Sequence, residues 1–362
     1  MKLRNLPRFT IPEPLIELMR SRLEATGYRL DRPVPLAEAV IALSDLYNTK
    51  GGSDLIWRES SHRAAYWAYF LPLNWLRLRA VVEEGRRLGF FDKVERIVDF
   101  GSGPGTGHLV WELLEPATQP TEFVSIESSP LARSEHQSWA DSRQTNIPFC
   151  VMEGRELPLS QSEKSLALMS YSLNELDSFP DSLFSYSHVL IVEPSTRHRG
   201  RQLMEVRHKL IDKGYSLWGP CPHQEACPLL TQSKQDWCHD RILIERPDWM
   251  MRLEQHLPLD NRSLTFSYLL ASREKPVAHQ GLCRVIGDTQ KEKGKTRQAA
   301  CRGPKREFLA WLKKEGKAPI IPRGALVRLS GKSITKGNEI RPQEEIEILS
   351  CHLQERMSGR SD

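Results

Sequence analysis

Short apolar runs alternate with amphipathic helical stretches between Arg96 and Lys213, and this alternation limits the possible folds more than any other feature of the sequence. Repeated strand–helix units place parallel strands in one sheet with helices on both faces. We therefore expect an α/β chain with a central parallel sheet. The predicted strands are Arg96–Phe100, Glu122–Glu127, Pro148–Met152, Leu166–Ser170 and His188–Glu193, and the predicted helices are Thr106–Leu114, Leu131–Asp141, Asn174–Leu183 and Arg199–Lys213.

The residues on both sides of this region have different patterns. Apolar spacing near 3.6 predicts helices at Pro14–Ala25, Leu36–Tyr47 and Ala64–Leu88, the last broken or kinked at Pro72. Two strand-like runs, Tyr215–Gly219 and Leu264–Ser272, are separated by a cysteine-rich stretch and are expected to form an antiparallel edge hairpin. Beyond Cys283 we expect a small β-rich extension, with strands at Leu326–Leu329 and Glu345–Leu349 and a helical period around Glu307–Lys314.

These patterns predict a three-part organisation. A helical region spans residues 1–94, and the α/β domain spans residues 95–283 with the cysteine-rich insertion at 219–240. A basic, β-rich extension covers residues 284–362.

A glycine-rich loop, in the segment IVDFGSGPGTG, joins the first predicted strand to the first helix of the sheet. Asp99 precedes Gly101, Gly103 and Gly105, and glycines allow the backbone to turn sharply and to approach a ligand. Glu127 ends the next strand, where an acid can accept hydrogen bonds from both ribose hydroxyls. The glycine spacing differs from that of a dinucleotide site and favours S-adenosylmethionine as the ligand. A purely structural turn is the alternative.

Three cysteines, Cys221, Cys227 and Cys238, lie close together in the cysteine-rich stretch. Closely spaced thiolates repel one another unless a cation offsets their charge, so such clusters usually ligate metal. The spacing leaves a loop large enough for an iron–sulfur cluster, whose usual ligands are four cysteines. The fourth ligand is left open by spacing, and a zinc site with three cysteines and one histidine remains an alternative. Candidates for the fourth ligand are His223, His239, Cys283 and Cys301.

The charge of the chain is unevenly distributed. The net charge is +5, but residues 284–336 hold 15 Lys and Arg against four acids, a surplus of +11 that leaves −6 for the remainder. Such a surplus favours a polyanionic partner, with a solvated surface as the alternative. No run approaches the roughly 20 apolar residues of a membrane span, and the N-terminus lacks the apolar part of a secretory signal. We expect no membrane partner.

The chain resembles a family of methyltransferase-like assembly factors of the small ribosomal subunit, found in mitochondria and in many bacteria. The resemblance runs from about Ala64 to Gly316. It depends on the segments YWAYFLPLNWLRLRAVV, VDFGSGPGTG, SYSLNEL, LIVEPSTRHRGRQLMEVRHKL, PCPHQEACPL, DWCH and FSYLLASRE. The proline-framed cysteines followed by Asp-Trp-Cys-His are its most specific part.

The resemblance implies a class I, Rossmann-like methyltransferase domain that binds S-adenosylmethionine. It also implies a 4Fe-4S cluster on four cysteines and association with the rRNA of the small ribosomal subunit. By motif, Cys221, Cys227 and Cys238 match the first three ligands, and Cys301 fits the fourth better than Cys283. We expect a monomer off the ribosome, in the cytoplasm of a bacterium or in the matrix of a eukaryotic mitochondrion.

Two functions follow from these features. In the first, the chain is an enzyme that transfers a methyl group from S-adenosylmethionine to an rRNA base. In the second, it is a non-catalytic factor that binds rRNA through its basic segment. No residue of the sequence is assigned a catalytic role.

Overall fold

The computed structural model describes residues 8–50, 55–114, 120–143, 145–173, 176, 178–277 and 281–350. Its helices are α1 (Glu13–Glu24), α2 (Pro33–Lys50), α3 (Leu55–Arg58), α4 (Ser60–Ala65), α5 (Leu71–Arg87), α6 (Thr106–Leu113), α7 (Pro130–Arg143), α8 (Arg197–Asp212), α9 (Pro228–Thr231) and α10 (Asp248–Glu254). Its strands are β1 (Phe9–Thr10), β2 (Arg96–Phe100), β3 (Glu122–Glu127), β4 (Phe149–Glu153), β5 (Ser165–Ser170), β6 (His188–Glu193), β7 (Ser216–Gly219), β8 (Asp240–Glu245), β9 (Ser263–Ser272), β10 (Leu282–Val285), β11 (Gln290–Glu292), β12 (Lys295–Cys301), β13 (Glu307–Leu312), β14 (Leu326–Arg328), β15 (Ile334–Lys336), β16 (Glu339–Arg341) and β17 (Glu347–Ser350).

The central sheet has the strand order of a class I methyltransferase. Its strands run β1-β8-β9-β6-β5-β2-β3-β4, and β7 also pairs with β9. Strands β2 to β6 are parallel to one another, whereas β9 is antiparallel to β6 and to β7. The α/β fold class and the antiparallel β7–β9 edge predicted from the sequence are therefore confirmed.

Both faces of the central sheet are buried, which explains why its strands are almost wholly apolar. Side chains alternate between faces along a strand. In β5, Leu166 and Leu168 pack with apolar residues of α5, α6 and α7. Their neighbours Ala167 and Met169 pack on the other face with residues of α8.

The long aromatic-rich stretch before the sheet is interrupted, although earlier than at the predicted proline. A π-helical turn covers Tyr66–Phe70, between α4 and α5. Pro72 instead lies in the first turn of α5, two residues after the π-helical turn ends. Within the residues that the structure describes, no helix has the length and the apolar content needed to cross a membrane.

Two of the predicted helices are wrong. The helix predicted at Asn174–Leu183 is absent from residues 178–180, because Pro180 disfavours helical geometry at the residue before it. A short 3₁₀ turn follows at Asp181–Ser185. Asn174 lies outside the described residues. The helical period around Glu307–Lys314 corresponds to strand β13, because pairing with β12 and β16 outweighs the helical propensity of this segment.

A second sheet follows the central one. Its strand order is β15-β16-β13-β12-β10-β14-β17, and β11 also pairs with β12. The predicted strands at Leu326–Leu329 and Glu345–Leu349 correspond to β14 and β17. The sequence did not predict β10 to β13, β15 or β16.

Candidate cofactor sites

The glycine loop lies at the carboxyl end of β2. Gly101, Gly103 and Gly105 have φ values of 68°, 53° and 88°, in the left-handed region that favours glycine. A Cβ on Gly101 would lie only 2.5 Å from the Cβ of Ser172, in the turn after β5. The loop therefore packs against the end of a neighbouring strand and leaves no space for a side chain at that position.

Glu127, predicted to bind ribose, lies against the glycine loop. It ends β3, and its carboxylate accepts hydrogen bonds from the backbone N–H of Gly103 at 2.9 Å and of Ser129 at 2.7 Å. The structure thus brings Glu127 and Gly103 together at the carboxyl edge of the sheet, where ligands bind in open α/β sheets.

Asp99 lies beneath the same loop and is only 2% exposed. One of its oxygens, Oδ2, is buried and has no hydrogen-bond partner within the described residues. Burial raises the pKa of Asp99 to about 8, and the negative charge of Glu127 adds to the shift. The carboxyl group is therefore mostly protonated at neutral pH, and it can donate a hydrogen bond.

Two aromatic side chains from the N-terminal helices lie over Gly103. A Cβ on Gly103 would lie 3.5 Å from the hydroxyl of Tyr66 and 3.7 Å from the ring of Trp57. The two rings pack at a centroid distance of 4.9 Å. Sequence reasoning did not assign these residues to the site, and the aromatic-rich stretch before the glycine loop was the only available signal.

A buried histidine pair supports the loop from below and was also missed. The Nδ1 of His108 lies 3.0 Å from the Nε2 of His136. A Cβ on Gly105 would lie 2.6 Å from the ring of His136. Burial lowers the pKa of His108 to about 4 and that of His136 well below its usual value, so both rings are neutral at neutral pH.

The four cysteines predicted as ligands line a single cavity of about 40 Å³. Cys221, Cys227 and Cys238 come from the segment between β7 and β8, and Cys301 is the last residue of β12. The other candidate, Cys283, is fully buried but is not part of the cavity lining.

The strand register explains why Cys301 and not Cys283 reaches the cavity. Arg284 of β10 lies opposite Cys301 of β12, so these two side chains point to the same face of the second sheet. Cys283 is one residue away from Arg284 and therefore points to the opposite face. There it packs in the core with Val285 and Ala300.

Two histidines also line the cysteine cavity. The Nε2 of His223 lies 3.2 Å from the Sγ of Cys301, and His239 follows Cys238. Burial lowers the pKa of both imidazoles to about 4, so they are neutral, as metal ligands are. Among the described residues, however, no group of three or more Cys, His, Asp or Glu side chains has the arrangement of a bound metal ion.

The cysteine thiols influence one another electrostatically. Burial raises the pKa values of Cys227, Cys238 and Cys301, and the charge of Cys221 raises each of them further. Thiols in such an environment stay protonated unless a cation offsets their charge. The donor set of four sulfurs around one cavity fits a thiolate-ligated cationic group.

Part of the basic surplus of the second sheet is used inside the fold. Arg284 is buried and ion-paired with Glu84, and Arg302 is paired with Glu307. Other cations are exposed at the surface of the sheet and its loops. The exposed lysines are Lys291, Lys293, Lys305, Lys313, Lys314, Lys317, Lys332 and Lys336.

The family model of the mitochondrial small ribosomal subunit protein Rsm22 matches residues 60–318 of the chain. The chain belongs to this family. The Rsm22 match spans the aromatic stretch that begins at Tyr66, the glycine loop, all four cavity cysteines and most of the basic segment. None of the curated proteins matches the chain.

Several solved methyltransferases are similar to the chain over part of its length. Magnesium protoporphyrin IX methyltransferase from Synechocystis is 12% identical, with a TM-score of 0.35, over 65% of this chain and 100% of that one. A SAM-dependent methyltransferase from Aquifex aeolicus is 11% identical, with a TM-score of 0.33, over 55% and 93%. A putative RNA methyltransferase from Pyrococcus horikoshii is 13% identical, with a TM-score of 0.29, over 65% and 96%.

Proposed function

We propose that this chain binds S-adenosylmethionine at the glycine loop, holds a 4Fe-4S cluster on four cysteines, and acts on the rRNA of the small ribosomal subunit. The observation that carries the proposal is the convergence of Cys221, Cys227, Cys238 and Cys301 on one cavity in a chain of the Rsm22 family. The exposed lysines of the second sheet support an RNA partner, since cationic surfaces bind phosphate backbones.

The donor site is proposed to consist of Asp99, Gly101, Gly103, Gly105 and Glu127. The glycines let the backbone approach the methionine moiety, and Glu127 would accept hydrogen bonds from the ribose hydroxyls. The bound donor supplies an electrophilic methyl group. The contribution of the protein is to hold this group in line with the nucleophilic atom of a base, because correct positioning removes much of the entropic barrier.

The cysteine centre is proposed to have a structural role. Three of its ligands belong to the segment between β7 and β8, and the fourth belongs to the second sheet. A group bound by all four would link the methyltransferase sheet to the basic sheet.

We also propose the division into residues 1–94, 95–283 and 284–362, a monomeric state off the ribosome, and action in the mitochondrial matrix of a eukaryote or the cytoplasm of a bacterium.

Cysteine variants test the centre. The chain is purified without oxygen, and its iron, sulfide, zinc and visible absorption are measured. We expect iron and sulfide in equal amounts in the wild type, and a large loss of both in Cys301→Ser. Cys283→Ser is the matched control, since Cys283 is also buried, on the neighbouring strand, but faces away from the cavity. A colourless wild type loaded with zinc would refute the cluster.

A glycine variant tests the donor site. Gly103→Asp places a carboxylate against Tyr66 and Trp57 at the glycine loop and should abolish donor binding measured by calorimetry, as well as methylation of small-subunit particles. Gly337→Asp is the control, since Gly337 has a similar φ of 62° and nothing within 4 Å of its Cβ position. Equal donor affinity in both variants would argue against this site.

A non-catalytic role in assembly is the second candidate. It is favoured by the contacts of Glu127, whose carboxylate already stabilises the loop through the amides of Gly103 and Ser129. A retained donor site can therefore have a structural role. In this case Gly103→Asp would lose donor binding yet still restore small-subunit assembly in cells that lack the protein. Loss of rescue, with RNA affinity preserved, would favour the enzyme instead.

A further inference from the structure

Arg207 of α8 directs a buried positive charge at the cysteine cavity. Its side chain is 2% exposed and forms part of the cavity lining. Nε donates a hydrogen bond to the Sγ of Cys221 at 3.2 Å. Nη2 donates to the backbone carbonyls of His223 at 3.1 Å and of Glu225 at 2.6 Å. Nη1 is buried and has no acceptor within the described residues.

Among the described residues, no carboxylate lies within ion-pair distance of this guanidinium; that of Asp240 also lines the cavity but is paired with Arg284. An arginine side chain stays ionised under all physiological conditions, and burying such an ion costs several kcal/mol unless an opposite charge accompanies it. In the part of the chain that the structure describes, Arg207 bonds only to a sulfur and to two neutral carbonyls. A negative charge on the cavity sulfurs would therefore offset that of Arg207 directly.

A cysteine-ligated centre would supply that negative charge. Binding deprotonates each ligating thiol, and four thiolates outweigh the positive charge of a 4Fe-4S core. A hydrogen bond to a ligand sulfur, and a positive charge near the cluster, are two of the factors that set its reduction potential. The unpaired Nη1 leaves one further donor for an acceptor that the bound group provides.

We propose that Arg207 is the counter-charge of the cysteine centre: its guanidinium stabilises the thiolate-ligated state through Cys221 and raises the reduction potential of the bound cluster. This inference depends on the cluster proposed above. Arg207 is a positioning residue, since it contacts a ligand and no substrate. Because reduction adds a negative charge to the centre, a buried cation beside it favours the reduced form.

The same helix offers a matched control. Arg201 also ties α8 to the cysteine segment, because its Nη1 donates to the carbonyls of Leu229, Ser233 and Asp236 at 3.3, 3.0 and 2.9 Å. It contacts none of the sulfurs and does not line the cavity. A change at Arg201 therefore removes comparable hydrogen bonds to the segment without removing the charge beside the sulfurs.

The experiment compares Arg207→Met, Arg207→Lys and Arg201→Met in the full chain, each reconstituted without oxygen from ferrous iron and sulfide. Iron content, a redox titration followed by absorption, and melting of the metal-free chain are measured. For Arg207→Met we expect at least a threefold loss of iron and a lower potential. A tenfold fall in the reduced-to-oxidised ratio at fixed potential would correspond to about 59 mV for a one-electron couple. Arg207→Lys keeps the charge, so its iron content and its reduction potential should lie between those of Arg207→Met and the wild type. Arg201→Met should keep the wild-type potential.

The metal-free chain gives an independent readout. If Arg207 is an uncompensated buried cation, its replacement by methionine should leave the melting temperature of the metal-free chain unchanged or higher. The proposal is overturned if two results occur together: Arg207→Met and Arg201→Met lower the melting temperature of the metal-free chain by the same amount, and both keep the wild-type reduction potential. Arg207 would then only hold the cysteine segment against α8. A wild type that takes up no iron would refute the cluster itself, and the melting comparison would still test the buried charge. If Arg207→Met does not fold, Arg207→Lys decides on its potential alone.

Discussion

Arg284 and Glu84 lie 200 residues apart in the sequence and form an ion pair in the protein interior, with 2.8 Å between Nη2 and Oε1. Arg284 also donates hydrogen bonds to the carbonyls of Pro220 and Gly324. The side chain of Arg284 therefore connects the second sheet both to α5 and to Pro220, the residue before the first cavity cysteine. The placement of Cys221 depends on this contact as well as on its own segment.

Replacing Arg284 by methionine should destabilise the chain by about 3 kcal/mol, because Glu84 would lose its buried counter-charge and keep only its pair with the partly exposed Arg87 among those described. Urea unfolding followed by tryptophan fluorescence measures the change. The double variant Arg284→Met/Glu84→Leu should recover part of the loss. Arg328→Met is the control, since its pair with Glu347 is exposed on both sides, and such pairs contribute about 1 kcal/mol or less. A similar loss in both single variants would contradict a special role for the buried pair.

Gly101→Ala should destabilise the chain by about 3 kcal/mol, from the strain of a positive φ and from overlap with Ser172. The comparison is Gly294→Ala, because Gly294 has a φ of 82° and nothing within 4 Å of its Cβ position. There we expect a loss of about 1 kcal/mol from backbone strain alone. Thermal melting of both variants separates the two contributions. Equal losses would show that Ser172 moves aside at little cost.

Asp99→Asn should stabilise the chain increasingly as the pH rises. The pKa of Asp99 is about 8 in the folded chain, mainly because of burial, whereas an aspartate that is not buried has a pKa of 3.8. Between these values the folded chain holds a proton that the unfolded chain has lost, so wild-type stability falls with rising pH by about 1.4 kcal/mol per unit. The asparagine variant lacks this loss. Denaturant unfolding at pH 5 and pH 9 checks the prediction, and an equal effect at both pH values would contradict it.

His136→Phe should lessen the loss of stability in acid. Burial lowers the pKa of His108 to about 4 and that of His136 well below 6.5. The unfolded chain therefore binds more protons, and stability decreases as the pH falls from 6.5 towards 4. At pH 8 the variant should lose about 1 kcal/mol, because His108 loses its partner. Its unfolding curve should nevertheless approach that of the wild type near pH 4.5. A constant difference across this range would exclude the titration of the pair.

Much of the central sheet was predictable because its signals are local. The ranges of β2, β3 and β6 coincide with the predicted ones, since each is a short apolar run between turn residues. The glycine loop was equally visible, because a sharp turn and a close approach both require glycine. Strand β13 was not predictable in the same way. Its helical propensity is outweighed by pairing with β12, which lies just before it and was itself not predicted, and with β16, which lies further along the chain.

The cofactor sites were only partly predictable for the same reason. The first three cysteines are close in sequence, so their spacing predicted a common site. The choice between Cys283 and Cys301 depends on the register of β10 against β12, which spacing does not reveal. The contacts of Arg207 and of the pair His108–His136 arise from packing between distant elements. No local pattern marks such residues.

The long strand β9 has a consequence for the entropy of the cysteine segment. Strand β7 ends opposite Leu270, and β8 begins opposite Phe266 on the same edge of β9. Residues 220–239 are thus a loop whose two ends are hydrogen-bonded to one template, about 13 Å apart along the strand. Because both ends are fixed when the sheet folds, the entropic cost of closing this loop is part of the folding of the sheet. A group that bound in the cavity would therefore meet the sulfurs of Cys221, Cys227 and Cys238 already held near one another, at a smaller entropic cost.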